Sequence, residues 1–376
     1  SETAAGPARA LVDYLESPSG PPGADVLAAL DRPAGELAGV PLEWWFPLHW
    51  RLLSDDEITA AYRAKELMAL AFAAEPAPGV NSNEARCLER ARALSFLGRS
   101  HEALADLAVA EEEARTSERK AVVRKLIADL EFSCGRIERH VDSAAEREGV
   151  NPPEADKRFR ELIEGRSVAI VGPAQSAVPH GEEIDGFDTV IRTKHLSASL
   201  EGHGEIAGSR THLSYYALGS ARHLREGIAE ALADGSLQMA VFRTSTYAPS
   251  PAYLHRPGDV RYVPNEHLGG FRSAQFAIQR IIYDILPMRP RRIKVFNIDF
   301  FVALDSYRPG YLAEYADRMV EQGYVKVLGS FGHDFLTDFR LTRLLVERGI
   351  VEGDERVTEL LALEPAEYLK VLDRRR

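Results

Sequence analysis

Apolar positions follow two different patterns along the chain. In the first part they recur at helical spacing, for example in the Ala- and Leu-rich stretch from Ser54 to Phe72, and they predict helices. After Pro153, short β-branched runs alternate with amphipathic segments. We therefore predict an all-α domain over residues 1–150 and an α/β domain over residues 151–376.

Short apolar runs rich in β-branched residues predict the strands of the second part. These runs are Val168–Val171, Thr189–Arg192, Thr211–Ala217, Met239–Thr244 and Ile293–Ile298. Helices are predicted over Glu154–Glu164, Arg222–Ala233, the end of Gly269–Leu286, and Tyr311–Glu321. The alternation predicts a Rossmann-like, mostly parallel sheet with helices on both faces, and a ligand at the carboxyl ends of its strands.

Two segments of the helical part are similar to each other. Ala93–Leu104 and Leu130–Arg136 share a Leu, Gly and Arg pattern, and Gly98 and Gly135 are 37 residues apart. Tetratricopeptide (TPR) helix pairs repeat every ~34 residues. We therefore predict a TPR-like domain with a structural role or a surface for a protein partner.

Composition narrows the classes of protein that fit. The chain has 376 residues, 45% apolar content and a net charge of −11, which predicts well-filled cores and argues against nucleic acid as a partner. Cys87 and Cys134 are too few for a disulfide framework or a four-ligand zinc site. No signal peptide and no stretch of about 18 apolar residues is recognisable. We expect no membrane span and a cytoplasmic location.

The stretch from Ser167 to Lys194 holds the first candidate site. Its first strand breaks at a loop of small residues, where a phosphate could approach backbone N–H groups, and two cations leave its second strand. An ordinary turn with solvated charges would explain the same letters, because neither GxGxxG nor GxxxxGKS is present. The candidate phosphate-binding residues are Gly172, Pro173, Ser176, Arg192 and Lys194.

This stretch resembles the large sialylmotif of the eukaryote-type sialyltransferase family. The matching letters are Val171-Gly172, then Gly181-Glu182-Glu183-Ile184-Asp185, then Asp188, Val190 and Arg192, in the family's order and spacing. The resemblance implies that the strand, the loop and the segments after it bind the CMP part of a CMP-sugar donor.

A second segment is similar in layout to the family's small sialylmotif. Gly270, Arg272 and Ser273 stand in a loop that precedes a predicted helix and then a strand. A helix N-terminus offers free N–H groups to a carboxylate or phosphate. The family's Ser-Thr-Gly letters are absent and Arg272 stands in the loop, so the resemblance implies an anionic donor group and leaves the sugar open.

His333 and Asp338 resemble the family's very small motif, His-x-x-x-x-Glu, with Asp in the Glu position. The resemblance implies that His333 is the general base on the acceptor hydroxyl, a role that needs a pKa near neutrality. Tyr307 is a candidate hydrogen-bond donor to the leaving phosphate. Asp334 is predicted separately as the N-cap of the following helix.

The sequence therefore predicts an enzyme. It is expected to be a metal-independent, inverting glycosyltransferase that moves sialic acid or a related acidic sugar from a CMP-sugar to an acceptor hydroxyl. We expect no cofactor and no metal, because no Asp-x-Asp motif follows a strand of the α/β part. The alternative is a non-catalytic nucleotide-binding or scaffold protein that binds a partner through its helical repeats.

Overall fold

The first part of the chain is helical. The structure, a computed structural model, describes residues 2–17, 20–37, 40–74, 82–143, 153–195, 202–217, 221, 223–243, 258–264, 266–303, 311 and 333–374. Helices α1 to α9 are Glu2–Glu16, Ala24–Leu30, Trp45–Ser54, Ile58–Ala74, Asn83–Phe96, Ser100–Glu113, Ser117–Ser133, Glu138–Ser143 and Pro153–Ile163. Short 3-10 helices lie at Ala34–Leu37 and Leu42–Trp44.

Side-chain caps explain where several of these helices begin. Ser82 accepts a hydrogen bond from the Ala85 N–H at the start of α5, and Thr116 does the same for Arg119 at the start of α7. Such caps satisfy N–H groups that have no partner within the helix. The predicted helix between Ser54 and Phe72 is confirmed as α4.

Within the described residues, seven parallel strands form one sheet in the order β5-β4-β3-β2-β1-β6-β7. Strands β1 to β7 are Ser167–Val171, Thr189–Thr193, Leu213–Tyr216, Met239–Arg243, Val260–Val263, Arg292–Phe296 and Glu352–Gly353. The α/β class and the five predicted strands are confirmed, whereas β5 and β7 were not predicted.

Helices connect the strands. Helices α10 to α16 are Gly181–Asp185, Gly204–Ala207, Arg225–Asp234, Ala277–Ile285, Phe335–Glu347, Glu355–Leu361 and Pro365–Asp373, and a 3-10 turn, Leu286–Met288, continues α13. Ile278 of α13 packs on one face of the sheet, while Ile184 of α10 and Ile228 of α12 pack on the other. Of the predicted helix Tyr311–Glu321, only Tyr311 lies within the described residues.

The strand order reverses at β1. Strands β1 to β5 follow one another outward in one direction, and the chain then returns to place β6 on the other side of β1. Val171, the last residue of β1, is in register with Arg192 of β2 and with Phe296 of β6. In open parallel sheets, ligands bind at the carboxyl ends of the strands beside such a reversal.

The helical part and the sheet part share one apolar core. A single cluster of buried residues runs from Leu11 of α1 through Met68 of α4 to Phe339 of α14. Lys65 of α4 forms an ion pair of 2.6 Å with Asp334, and both side chains are only 2% exposed. The predicted division near residue 150 stays a prediction. No helix of the described residues is long and apolar enough to cross a membrane.

Candidate functional site

Gly172 lies where β1 ends, in close contact with β6. Its N–H donates to the Phe296 carbonyl oxygen at 2.8 Å, and the Ala174 N–H donates to the Asn297 carbonyl oxygen at 3.1 Å. A Cβ atom at Gly172 would stand 2.4 Å from that Asn297 oxygen, so only glycine allows this approach. The prediction that the Gly172 N–H is open to a phosphate is therefore wrong, because this group is bonded within the fold.

Pro173 and Ser176 lie further along the same loop and are half-buried. The Ser176 hydroxyl accepts a hydrogen bond of 3.0 Å from the Val178 N–H, which orders the loop locally. Pro173 has no N–H to offer. Both residues keep their predicted place at the carboxyl end of β1.

Arg192 is fully buried in β2. It shares a face of the sheet with Val190, two residues earlier, which packs against α10. The guanidinium donates hydrogen bonds of 2.8 to 3.2 Å to the Thr211 hydroxyl and to the carbonyl oxygens of Ala207, Gly208 and Arg210. The prediction that Arg192 pairs with a donor phosphate is wrong, because the side chain is fully buried and its Nε and Nη2 donors hold the connection from α11 to β3.

Lys194 follows β2 with φ 57° and is buried. Its ammonium group donates to the Tyr311 carbonyl oxygen and lies 4.8 Å from the centre of the Tyr311 ring. The Tyr311 hydroxyl in turn donates to Thr193 at 3.0 Å. Lys194 therefore lies at the carboxyl end of β2, as predicted. Tyr307 lies outside the described residues.

A cavity of about 320 Å³ lies beside the loop that leads from β5 into α13. The three predicted loop residues Gly270, Arg272 and Ser273 line this cavity together, whereas the candidates on β1 and β2 do not line it. Arg92 of α5 and Arg280 of α13 also contribute to its wall. The cavity therefore joins the helical part to the N-terminus of α13.

Acidic side chains partly balance the arginines around the cavity. Glu89 pairs with Arg92 at 2.9 Å and with Arg272 at 3.2 Å. Arg243, the last residue of β4, holds Glu266 through two hydrogen bonds of 2.6 Å. That bidentate pair raises the pKa of Arg243 and lowers the pKa of Glu266.

Arg280 is different because it is buried without a counter-ion. Its exposed fraction is 9%, and its one recorded hydrogen bond runs from Nη2 to the Gln275 carbonyl oxygen at 2.8 Å. Among the described residues, no carboxylate oxygen lies within 4.0 Å of the Arg280 guanidinium, the distance that defines an ion pair. Burial, and then the charge of Arg243, lower its pKa to about 10.

His333 lies directly behind the cavity wall. Its ring stacks on Phe276 with 4.1 Å between centroids, its Nδ1 lies 3.4 Å from the Ala274 carbonyl oxygen, and its backbone pairs with that of Ala274. Burial, and then the charge of Arg280, lower the pKa of His333 to about 3. The expected base with a pKa near neutrality is therefore corrected to a neutral, weakly basic imidazole.

Asp338 supports the same loop from α14. One carboxylate oxygen accepts a hydrogen bond of 2.7 Å from the Phe276 N–H, which precedes α13. Burial, and then the charge of Asp334, raise the pKa of Asp338 well above its ordinary value. Asp338 does not line the cavity, so its observed role is to hold the loop.

Asp334 is confirmed as an N-cap. It accepts a hydrogen bond of 2.9 Å from the Thr337 N–H at the start of α14. Burial opposes its ionisation, but the charge and hydrogen bond of Lys65 outweigh burial and lower its pKa to about 2. The ion pair therefore fixes the segment that carries His333.

Sequence reasoning missed Asp129 of α7, which anchors the cavity loop. Its carboxylate accepts hydrogen bonds from the Leu268 N–H at 2.7 Å, from Lys125 at 2.6 Å and from the Tyr283 hydroxyl. Arg280 was also missed. The available signal was the polar residues inside the apolar helix AIQRIIYDI, because a charge on a buried helix face needs a partner or a ligand.

No protein-family model matches this sequence, and no curated protein is significantly similar to it. Within the part of the chain that the structure describes, no three His, Cys, Asp or Glu side chains are grouped to hold a metal ion. A reaction without metal therefore stays a prediction.

Proposed function

We propose that this protein is a metal-independent, inverting glycosyltransferase that moves sialic acid or a related acidic sugar from a CMP-sugar to an acceptor hydroxyl. One observation carries the proposal. The letters that resemble the large sialylmotif fall on the end of β1, on α10 and on β2, and β1 is the strand at which the sheet order reverses. A nucleotide is expected at the carboxyl ends beside such a reversal.

The residue roles change from those the resemblance implies. Pro173, Ser176 and Lys194 remain the candidate contacts for the cytidine phosphate, while Arg192 is withdrawn because its guanidinium is bonded to the backbone. Gly172 contributes by its small size, which lets the loop lie against β6. Gly270, Arg272 and Ser273 remain the candidate contacts for an anionic group of the donor.

The proposed reaction is a single displacement. The acceptor oxygen forms a bond to the anomeric carbon while the bond from that carbon to the phosphate oxygen breaks. The phosphate takes the bonding electron pair, and the acceptor proton passes to a base. His333 is the candidate base, and an anion beside Arg280 would offset the charge that lowers its pKa.

Titration calorimetry with CMP, CDP, GDP and NAD, in the presence of EDTA, tests the nucleotide. Cytidine nucleotides should bind more tightly than purine nucleotides, and EDTA should leave their affinity unchanged. A transfer assay with a CMP-sugar and a panel of hydroxyl acceptors then tests the reaction. Preference for NAD, or loss of binding with EDTA, would contradict the proposal.

The scaffold alternative rests on a groove of about 790 Å³. The groove is lined by Tyr62 of α4, by Gly98 in the turn between α5 and α6, and by Arg340 of α14. Gly98 belongs to the TPR-like repeat, so a protein partner held by the helical part would reach this groove. Cytidine binding without sugar transfer from any CMP donor would favour this alternative.

A further inference from the structure

The cavity beside α13 contains an arginine that forms no ion pair with a carboxylate of the described residues. Arg280 lines the cavity, is 9% exposed and has the Gln275 carbonyl oxygen as its recorded hydrogen-bond partner. A guanidinium carries five N–H donors, so most of them are not accounted for by that bond. A buried charge without a counter-ion lowers stability, and it persists where a ligand supplies the missing charge.

We propose that this cavity is an oxyanion site, completed by Arg280, for a carboxylate or phosphate group of the substrate other than the phosphate of the nucleotide. Assigning that group to a substrate rests on the proposed function. The existence of the site rests on the geometry alone.

Positive charge converges on the cavity from two parts of the chain. Arg92 comes from α5 and Arg272 from the loop before α13, and these two arginines share a single carboxylate, Glu89. Glu266 is held by Arg243 in a bidentate pair, and it acts on Arg280 by its charge without forming an ion pair with it. The arginines around the cavity therefore outnumber the carboxylates that pair with them, so they can still bind an oxyanion.

The N-terminus of α13 adds to this attraction. Ala274 and Gln275 line the cavity just before the helix begins at Ala277. The first N–H groups of a helix carry partial positive charge and favour an anion nearby. Arg280 lies one turn into the same helix, so its side chain and the helix end act on the same space.

The anion is distinct from the nucleotide phosphate. The candidate nucleotide contacts Pro173, Ser176 and Lys194 follow β1 and β2, and none of them lines the cavity. The cavity is instead lined by the loop after β5 and by α5. A substrate that fills both places carries one anionic group in each.

Inorganic phosphate and acetate are the probes. Each is titrated into the whole protein at constant ionic strength, without nucleotide, and binding is followed by calorimetry and by thermal unfolding. Arg280→Gln should weaken the tighter-binding probe about 10- to 100-fold, the range for losing hydrogen bonds to a charged group. Arg124→Gln is the control, because Arg124 is an exposed residue of α7 that pairs with Glu111.

The stability of the unliganded variant separates a binding role from a structural one. Arg280→Gln removes a buried unpaired charge, so its unfolding temperature without probe should equal or exceed that of the wild type. If Arg280→Gln fails to fold, Arg280 is structural, and Arg272→Gln, a change at a half-exposed residue, then decides the binding role. The oxyanion site is kept if Arg272→Gln lowers the affinity for the probe several-fold, and it is overturned if the affinity is unchanged.

Comparison with CMP distinguishes this inference from the proposed function. Arg280→Gln should bind CMP with wild-type affinity. Loss of CMP binding together with probe binding would overturn the separate site, and equal stabilisation of both proteins by phosphate would indicate a general salt effect and overturn it too. If the wild type binds no CMP, the proposed function fails, while the probe titrations still decide the oxyanion site.

Discussion

Arg192 and Arg280 are both buried arginines, and the groups around each decide what it does. Arg192 meets several carbonyl oxygens of one loop through Nε and Nη2, so these donors are used by the fold. Arg280 meets one carbonyl oxygen and a cavity. The first arginine therefore stabilises the protein, and the second is the one that we assign to a ligand.

Replacing Arg192 should damage the fold. Arg192→Met leaves the carbonyl oxygens between Ala207 and Arg210 without their donor, so the free energy of unfolding should fall by about 2–4 kcal/mol. Urea denaturation measures the change. Arg291→Met is the control, because Arg291 is exposed and pairs with Asp188 at the surface, where such pairs contribute about 0–1 kcal/mol. If the variant kept its stability and lost its affinity for CMP, Arg192 would be a phosphate-binding residue.

His333 should stay neutral over an unusual pH range. Its pKa is lowered to about 3 by burial and by Arg280, so NMR of the imidazole should find a neutral ring from pH 8 to below pH 5. His333→Gln assigns the signal. Saturating phosphate or acetate should raise this pKa, because an anion beside Arg280 favours the charged ring. A ring that titrates near 6.5 without ligand would contradict the lowered pKa.

The lowered pKa of His333 also makes the stability of the protein depend on pH. The unfolded chain binds a proton at His333 near the ordinary value of 6.5, whereas the folded protein binds it only near 3. The unfolded state therefore holds more protons between these values, and stability falls as the pH drops through that window. His333→Gln should reduce this part of the acid destabilisation.

At the scale of elements, helix α7 supports the loop that forms the cavity. Asp129 is buried, and burial raises its pKa, but His267 and Lys125 together lower it below the ordinary value. The carboxylate is thus charged and bonded to the Leu268 N–H of the loop. Asp129 is therefore one contact by which the helical part holds the cavity loop, beside the ion pair between Glu89 of α5 and Arg272.

Asp129→Asn should loosen that support. The change removes a buried charge that Lys125 and the loop both use, so the free energy of unfolding should fall by about 3 kcal/mol. Affinity for the oxyanion probe should fall as well, because the loop carries Gly270 and Arg272. Glu118→Gln, an exposed change in the first turn of α7, is the control. Wild-type probe affinity in Asp129→Asn would show that α7 does not hold the loop.

The elements that were predictable are those with a strong local signal. β1 and β4 are apolar runs, and the loop with Gly270 and Arg272 was recognisable because it precedes an amphipathic helix. β7 has two residues, too few for any pattern. β5 carries Arg261, whose charge is compatible with burial because it pairs with Asp284 of α13 and with Asp156 of α9. Sequence spacing shows neither contact.

Arg192 was misjudged for a related reason. Every residue of β2 is buried, since helices cover both faces of the sheet, so no polar alternation indicates which way each side chain points. Local sequence patterns also do not predict the residue that caps α4. The N–H groups of Ile58 and Thr59 bond to Asp373 in the last helix, and no local spacing relates residues so far apart.

At the scale of the whole molecule, the helical part and the sheet part depend on each other. One cluster of buried apolar residues crosses both parts, and the buried pair of Lys65 and Asp334 lies between them. Asp373 of α16 caps α4. Unfolding one part alone would expose apolar surface and leave Asp334 without its counter-ion, so the two parts should unfold together.

This dependence predicts a single unfolding transition. All three tryptophans, Trp44, Trp45 and Trp50, lie in the helical part, so their fluorescence reports that part, whereas circular dichroism at 222 nm reports every helix. The two urea curves should coincide, because partly unfolded species are scarce when one core serves both parts. The midpoint should also be the same when the protein concentration is varied.

Lys65→Met tests what holds the parts together. The variant leaves Asp334 buried and unpaired, which should lower the free energy of unfolding by about 3–5 kcal/mol. The double variant with Asp334→Asn should recover part of that loss, because asparagine removes the charge and can still cap α14. Lys120→Met, an exposed change on α7, is the control. In the wild type, a change in fluorescence at a lower urea concentration than the change in circular dichroism would show that the helical part is an independent domain. The apolar cluster would then not couple the helical part to the sheet.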